Sequence, residues 1–300
     1  MQQQQSILQE IMHFFTRGSI LSKIIGVNAG IFLLVNLFRV LFFLFNVESA
    51  GDAIMHWLGV SSNIHVVLHR PWTLVTYMFL HFDFFHILFN MIVLYVGGRL
   101  FSDFIGADRL MATYLIGGLF GAFFYIISFN IFPVFESVVD FSLALGASAS
   151  VLAIFIAIAV YIPDYQLPLL LLGRVRLKYI ALFFVIIDII SIDQGNPGGH
   201  LAHLGGALWG FIYASLLKSH RDPALVIGFY LEKIAKLFKK KPHFRVEYNK
   251  EKPISDEEYN RQRAEHQKNI DRILDKISKY GYDSLTKDEK KTLFKMGGDQ

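Results

Sequence analysis

Three hundred residues that are 53% hydrophobic and only 18% charged are too apolar for an ordinary water-soluble domain. Residues 1–217 carry 9 Lys/Arg and 11 Asp/Glu, whereas residues 218–300 carry 20 and 14, so the first part suits a bilayer and the second suits water. The chain has no cysteine, which excludes a disulfide framework, a thiolate metal site and a thiol nucleophile; its net charge of +4 resides in the tail and reads as an orientation signal, not a nucleic-acid surface.

In chain order, the opening MQQQQSILQEIMHFF lacks the basic start, apolar core and small-residue cleavage site of a signal peptide, so insertion is expected to be driven by the first spanning helix. A hydrocarbon core of about 30 Å requires roughly 20 apolar residues per helix. Six stretches meet that requirement: 24–47, 84–102, 109–133, 142–162, 177–192 and 200–217, the fifth being short. Arg17 and Lys23 precede the first; Arg99 and Arg109 flank the turn after the second; Arg174, Arg176 and Lys178 lie between the fourth and fifth. The alternate loops hold only Arg70, in the long 48–83 segment. Both termini are therefore expected on the cytoplasmic side. Arg39 and Asp188 are charges within apolar runs, and each needs a partner. Arg39 could bond bundle carbonyls and Asp188 could be wet at the outer interface. A transporter would use such charges, but no inverted repeat or pair of broken helices accompanies them.

Spans 2, 4 and 6 all enter from the outer face, so their first residues share a depth. Those residues include His81, His86 and Asn90, then Gly146, Ser148 and Ser150, then His200 and His203. Polar groups at that depth are expected to converge on one outward-facing pocket. A serine beside an imidazole is the minimum for an activated nucleophile, the ring taking the hydroxyl proton as attack occurs. A carboxylate can orient the ring, or packing can substitute for it. His86 and Asn90, four apart, share a helix face and could donate to a developing oxyanion, with the Ser148 amide as a third donor. Gly146 would allow another chain to come close.

The stretches HFDFFHILFN (81–90), GASAS (146–150) and AHLGGALWG (202–210) resemble, in order and spacing, the three signatures of the rhomboid intramembrane serine proteases, over about residues 15–218. The resemblance implies an all-α, polytopic, six-transmembrane-helix bundle. It implies Ser148 as nucleophile, His203 as general base, and His86, Asn90 and the Ser148 amide as oxyanion hole. Gly146 is the glycine of the serine motif, and Gly206 and Gly210 let span 6 pack on span 4. It further implies no cofactor, water held in the pocket, a membrane-embedded 48–83 loop, span 5 as a lateral gate, and transmembrane proteins as substrates. Thr73 after Trp72, Ala149, Leu152 and Phe101 depart from the common pattern; Leu152 stands where an aromatic often stacks on the catalytic imidazole.

Other readings stay beside this one. A lone membrane-helix serine is usually a packing residue bonding back to its own helix. Ser150 points away from Ser148; His81 is either an interfacial loop residue or part of the outer hydrogen-bond network; His200 reads as solvent-facing or capping. Four histidines at one depth also suggest a metal, but no Asp or Glu sits beside His200 and His203 in sequence, no HExxH-type base is present, and no metal is expected. The alternative function is a non-catalytic rhomboid-like protein that binds membrane proteins.

The division falls at 218/219. Residues 222–241 could lie along the inner membrane surface with Lys239–Lys241 attracted to anionic lipid, or form a solvated linker. From 255, a charged helix with an Ile270, Ile273, Leu274, Ile277 stripe, a Gly281 stop and a Thr286–Glu289 capping box make a cytoplasmic tail suited to docking on a partner or on itself. That tail resembles those of some bacterial rhomboid-like proteins, which implies a bacterial cytoplasmic membrane.

Overall fold

A computed structural model of the chain describes residues 18–169, 172–238 and 255–297; Arg17 and Lys239–Lys241 lie outside them. Ser19 caps the first helix, α1 (Ile20–Leu44), by accepting a hydrogen bond from the Ser22 amide. Leu33, Leu37, Phe43 and Leu44 on α1 are exposed, an apolar face that water does not tolerate and lipid does. The long segment that follows folds into α2 (Glu48–Leu58), strand β1 (Val60–Ser61) and α3 (Ile64–His69), then a helical turn at Thr73–Thr76. Trp72 stacks on Trp57 with ring centroids 5.8 Å apart and donates its indole N–H to the Trp57 carbonyl.

Next come α4 (Phe84–Phe101) and α5 (Leu110–Ile131), joined through a π-turn that reverses at Gly106, φ +123. By length and composition, α1 and the continuous run Phe84–Ile131 are long and apolar enough to cross a membrane. Strand β2 (Leu143–Ala144) then pairs antiparallel with β1, Val60 opposite Ala144. Asn130 donates to the Ser62 carbonyl and Ser62 to the Val139 carbonyl, which fastens the long segment to this one.

Strand β2 leads into α6 (Ser148–Tyr161), in which every residue from Ala149 to Ala159 is buried. A helix buried on all sides is the centre of a bundle, and α4, α5 and the later α8 pack around it. The helix expected over 142–162 therefore starts only at Ser148: residues 143–144 are extended against β1, and Gly146 has φ +129, outside helical space. A hairpin of β3 (Gln166–Leu169) and β4 (Gly173–Arg176) precedes α7 (Leu177–Ile190) and α8 (Pro197–Lys218). Beside the hairpin, Lys178 bonds Asp164 and holds that carboxyl below the usual carboxylate range. Each expected spanning stretch overlaps one helix, of 14 residues in α6 and α7 and 18–25 residues in the others. A Cβ on Gly206 would fall on the Ala149 carbonyl, and one on Gly210 on the Ala153 carbonyl, so the two glycines set the approach of α8 to α6.

Helix α9 (Pro223–Phe238) packs near the start of α5, where Arg109 pairs with Asp222. By contact, α9 belongs to this first unit. Leu225, Val226, Phe229 and Tyr230 of α9 are exposed.

The second unit is helical. Ser255 caps α10 (Asp256–Tyr280), whose first turn carries Asp256, Glu257 and Glu258, favourable to the helix dipole. Gly281, φ +77, ends it. In α11 (Lys287–Gly297) the capping box is made: the Thr286 amide donates to Glu289 at 2.8 Å and the Glu289 amide to Thr286 Oγ1 at 3.4 Å. Ile270 and Ile273 are buried, but Leu274 is 50% exposed and leaves the expected stripe, because α11 and Leu285 cover the side on which Ile270 and Ile273 lie.

Candidate active site

The late start of α6 gives the site its shape. Ser148 is the first helical residue, so its amide has no acceptor within the helix. The preceding turn is held by three hydrogen bonds. The Gly146 amide donates to the Tyr77 carbonyl (2.9 Å), the Ala147 amide to His81 Nε2 (3.3 Å), and the Asn90 side-chain amide to that same nitrogen (3.2 Å). With two donors at Nε2, the His81 ring carries its proton on Nδ1. His81 is thus a buried brace between the serine turn and α4, not an interfacial loop residue.

His86 stands in the first turn of α4, where Asp83 caps the helix by accepting from the amides of Phe85 and His86. A Cβ on Gly146 would fall 2.8 Å from His86 Cε1 and 3.7 Å from Ser148 Oγ. Only glycine leaves room there for the imidazole beside the serine.

His86, Asn90, Ser148 and His203 line one cavity of about 370 Å³, together with Leu152, Phe184, Asp188 and His200. Ser148 and His86 also line a second cavity of about 460 Å³ under the Gly195–Gly199 connection, so the serine and its neighbour are reached from two sides. Among the described residues no hydrogen bond joins Ser148 to His203; they share the cavity wall. Ser150 points elsewhere, its Oγ lying 2.6 Å from where a Cβ on Gly118 of α5 would stand.

The structure corrects two expectations. His200 does not cap α8: Asn196 is the cap, accepting from the Gly199 amide, and His200, its side chain 20% exposed, turns Nδ1 to within 2.8 Å of Asp188 Oδ1. And a carboxylate does neighbour the histidines. Asp188 Oδ1 is also 2.8 Å from His203 Nδ1, and Asp188 is only 5% exposed. The signal was legible in principle: Asp188 sits two residues before the end of α7 and His200 three residues after the start of α8, with a short connection between. Residues equidistant from a tight antiparallel turn share a depth. Arg39 does not join them; it bonds Asn36 and lies 3.9 Å over the Phe82 ring. Asp188, His200 and His203 are also the described residues whose donor atoms lie close enough to hold a metal ion.

Comparison with known proteins agrees with this architecture. Residues 68–220 match the rhomboid domain, and residues 255–296 match a family of unknown function, DUF6576. RHOMBOID-like protein 12, mitochondrial, of Arabidopsis thaliana is 30% identical over 200 residues, covering 64% of this chain and 56% of that protein. Presenilin-associated rhomboid-like protein A, mitochondrial, of Danio rerio is 30% identical over 155 residues, 49% of this chain and 39% of its own. The human presenilin-associated rhomboid-like protein, mitochondrial, is 27% identical over 176 residues, 54% and 42% of the two chains. The chain thus spans about half the length of the curated relatives it matches. With its rhomboid match extending over half its length, this chain belongs to the rhomboid family.

Proposed function

We propose that the protein is an intramembrane serine endopeptidase that cleaves transmembrane or juxtamembrane segments of membrane proteins. The single observation that carries this reading is the convergence of Ser148, His203, His86 and Asn90 on one cavity. Ser148 Oγ attacks the scissile carbonyl carbon while His203 takes the hydroxyl proton. Because Nδ1 of His203 is turned to Asp188, Nε2 is the nitrogen available to Ser148. Asp188 then acts as a positioning residue: it holds the ring and stabilises the imidazolium, the work that a stacked aromatic in place of Leu152 would share. The oxyanion receives hydrogen bonds from His86, Asn90 and the Ser148 amide, each such donor being worth roughly 10²–10³ in rate. His203 returns its proton to the leaving amine, and a water in the cavity completes hydrolysis of the acyl-enzyme.

Six membrane spans with both termini on the cytoplasmic side are part of this proposal, as are a membrane domain ending near residue 218, a soluble tail and residence in a bacterial cytoplasmic membrane. The 14 residues of α6 rise about 21 Å, short of a hydrocarbon core of about 30 Å. If the far end of α6 lies at the basic inner face, Ser148 opens the helix about 9 Å below the outer surface, where water reaches it through the cavity.

The test is cleavage of a fluorogenic transmembrane peptide by purified full-length protein in detergent, compared with Ser148→Ala. Loss of cleavage in the variant, with phosphonate labelling of Ser148 in the wild type, supports the assignment. Equal cleavage by both proteins sinks it. Peptide binding without cleavage or labelling would return the protein to the non-catalytic, membrane-protein-binding class.

A further inference from the structure

One group near the proposed reaction has no part in it. His200 Nδ1 is turned to the same oxygen of Asp188 that holds His203. Two imidazoles from α8 and a buried carboxylate from the preceding α7 thus present three donor atoms within 4.8 Å of one another. Among the described residues no lysine or arginine pairs with Asp188, so this buried charge is met only by the two rings. We propose that Asp188, His200 and His203 bind one divalent metal ion of the zinc class, and that its binding switches the site off. The switching half rests on the serine-protease reading; the binding half does not.

The ligand chemistry is suited to the ion. Two neutral imidazoles and one carboxylate make a three-ligand zinc set with a fourth position open to water. The cavity of about 370 Å³ adjoins all three residues and has room for that water. Ligand bonds of about 2.0–2.1 Å in tetrahedral array place donor atoms roughly 3.3 Å apart. The two 2.8 Å contacts must therefore open by about half an ångström. Side-chain rotation accommodates this, because the two rings stand nearly perpendicular, at 85° with centroids 6.0 Å apart.

The consequence for catalysis follows from where one proton sits. Without metal, His203 keeps its proton on Nδ1, donated to Asp188, and Nε2 has a free lone pair. A metal takes the Nδ1 lone pair, so the neutral ring carries its proton on Nε2. The proton moves from one nitrogen to the other through water, and the net charge of the ring does not change. Nε2 has then become a donor and cannot accept the Ser148 proton. Metal at Nδ1 and base function at Nε2 are mutually exclusive.

The experiment uses tag-free full-length protein in two arms. In the first, Co²⁺ is titrated into Ser148→Ala, read by its visible absorption bands and competed by Zn²⁺. In the second, Zn²⁺ is titrated into the wild-type cleavage reaction after EDTA treatment. The expected result is 1:1 Co²⁺ binding that is lost when His200→Ala is added, and Zn²⁺ inhibition reversed by EDTA. In His200→Ala or His200→Gln alone, metal-free cleavage stays within about twofold while half-inhibition needs at least about tenfold more Zn²⁺, since losing even an outer-shell partner of a metal ligand weakens binding about 10–100-fold. Absence of His200-dependent Co²⁺ binding overturns the site. Equal inhibition of wild type and both His200 variants also overturns it, and binding without inhibition overturns the switch. If no form cleaves any peptide yet Co²⁺ binding depends on His200, the protease reading fails and the metal site stands.

Discussion

Replacing Asp188 by Asn tests most directly whether the carboxylate positions His203. The substitution keeps the size of the side chain but removes the charge that accepts from the two Nδ1–H groups at 2.8 Å. A hydrogen bond to a charged group contributes about 1.5–3 kcal/mol. Because that interaction strengthens as the ring becomes imidazolium, most of the loss appears in the transition state, a factor of about 10–100 in kcat. The Asn amide can also donate to Nδ1 and favour the Nε2–H form of the ring, which pushes the loss toward the roughly 10⁴ seen for such a change in Ser-His-Asp triads. Asn leaves no buried ion unpaired, so the protein should stay folded in detergent, its thermal midpoint lowered by no more than the weakened hydrogen bonds imply. The assay is peptide turnover with phosphonate labelling of Ser148, supported by ¹⁵N spectra of the imidazoles. Both rates should fall together while KM stays near the wild-type value, the His203 resonances should move toward the Nε2–H tautomer, and Asp188→Glu should recover part of the rate. Turnover within twofold of wild type in Asp188→Asn, or unchanged imidazole spectra, would refute the positioning role.

Three further outcomes follow from the same geometry. In Gly206→Ala the added methyl meets the Ala149 carbonyl; overpacking of this kind destabilises by about 1–3 kcal/mol, and a detergent or thermal melt unchanged from wild type would contradict the close α8–α6 contact. His81→Ala leaves the Ala147 amide and one Asn90 amide proton without an acceptor; a lost partner of a buried donor costs about 1–3 kcal/mol, so both stability and kcat should drop, and an unaffected kcat would show that the brace does not matter to the serine turn. In the tail, Lys276 and the Thr286 amide hold Glu289 down to about 2 from an ordinary value of 4.5. A depressed carboxyl stabilises its folded contacts above the unfolded pKa and loses that contribution as pH falls through the folded one. Amide NMR of α11 in the full chain should therefore show loosening between about pH 4.5 and 2, and Glu289→Gln should show it already at neutral pH; a helix indifferent to both changes would mean the Lys276–Glu289 pair does nothing there.

What the sequence determined by itself was everything governed by run length and local spacing. Apolar stretches of about 20 residues bounded by basic loops marked where the long helices lie, because helix length and charge placement are written locally. The capping box at Thr286–Glu289 and the stop at Gly281 were legible for the same reason. So were the candidate residues Ser148, His203, His86 and Asn90, since each lies near one end of a long apolar stretch. What only the tertiary structure decided depends on residues far apart in the chain. Ser148 opens its helix instead of lying inside it because Val60 and Ser61 pair with Leu143 and Ala144, and because His81 and Tyr77 hold the turn between. Asp188 finds His200 and His203 because α7 and α8 fold back on each other and bring one buried oxygen between two rings. Leu274 leaves its stripe because α11 covers one side of α10 and not the other. In each case periodicity names a face of a helix, and only packing decides what that face meets.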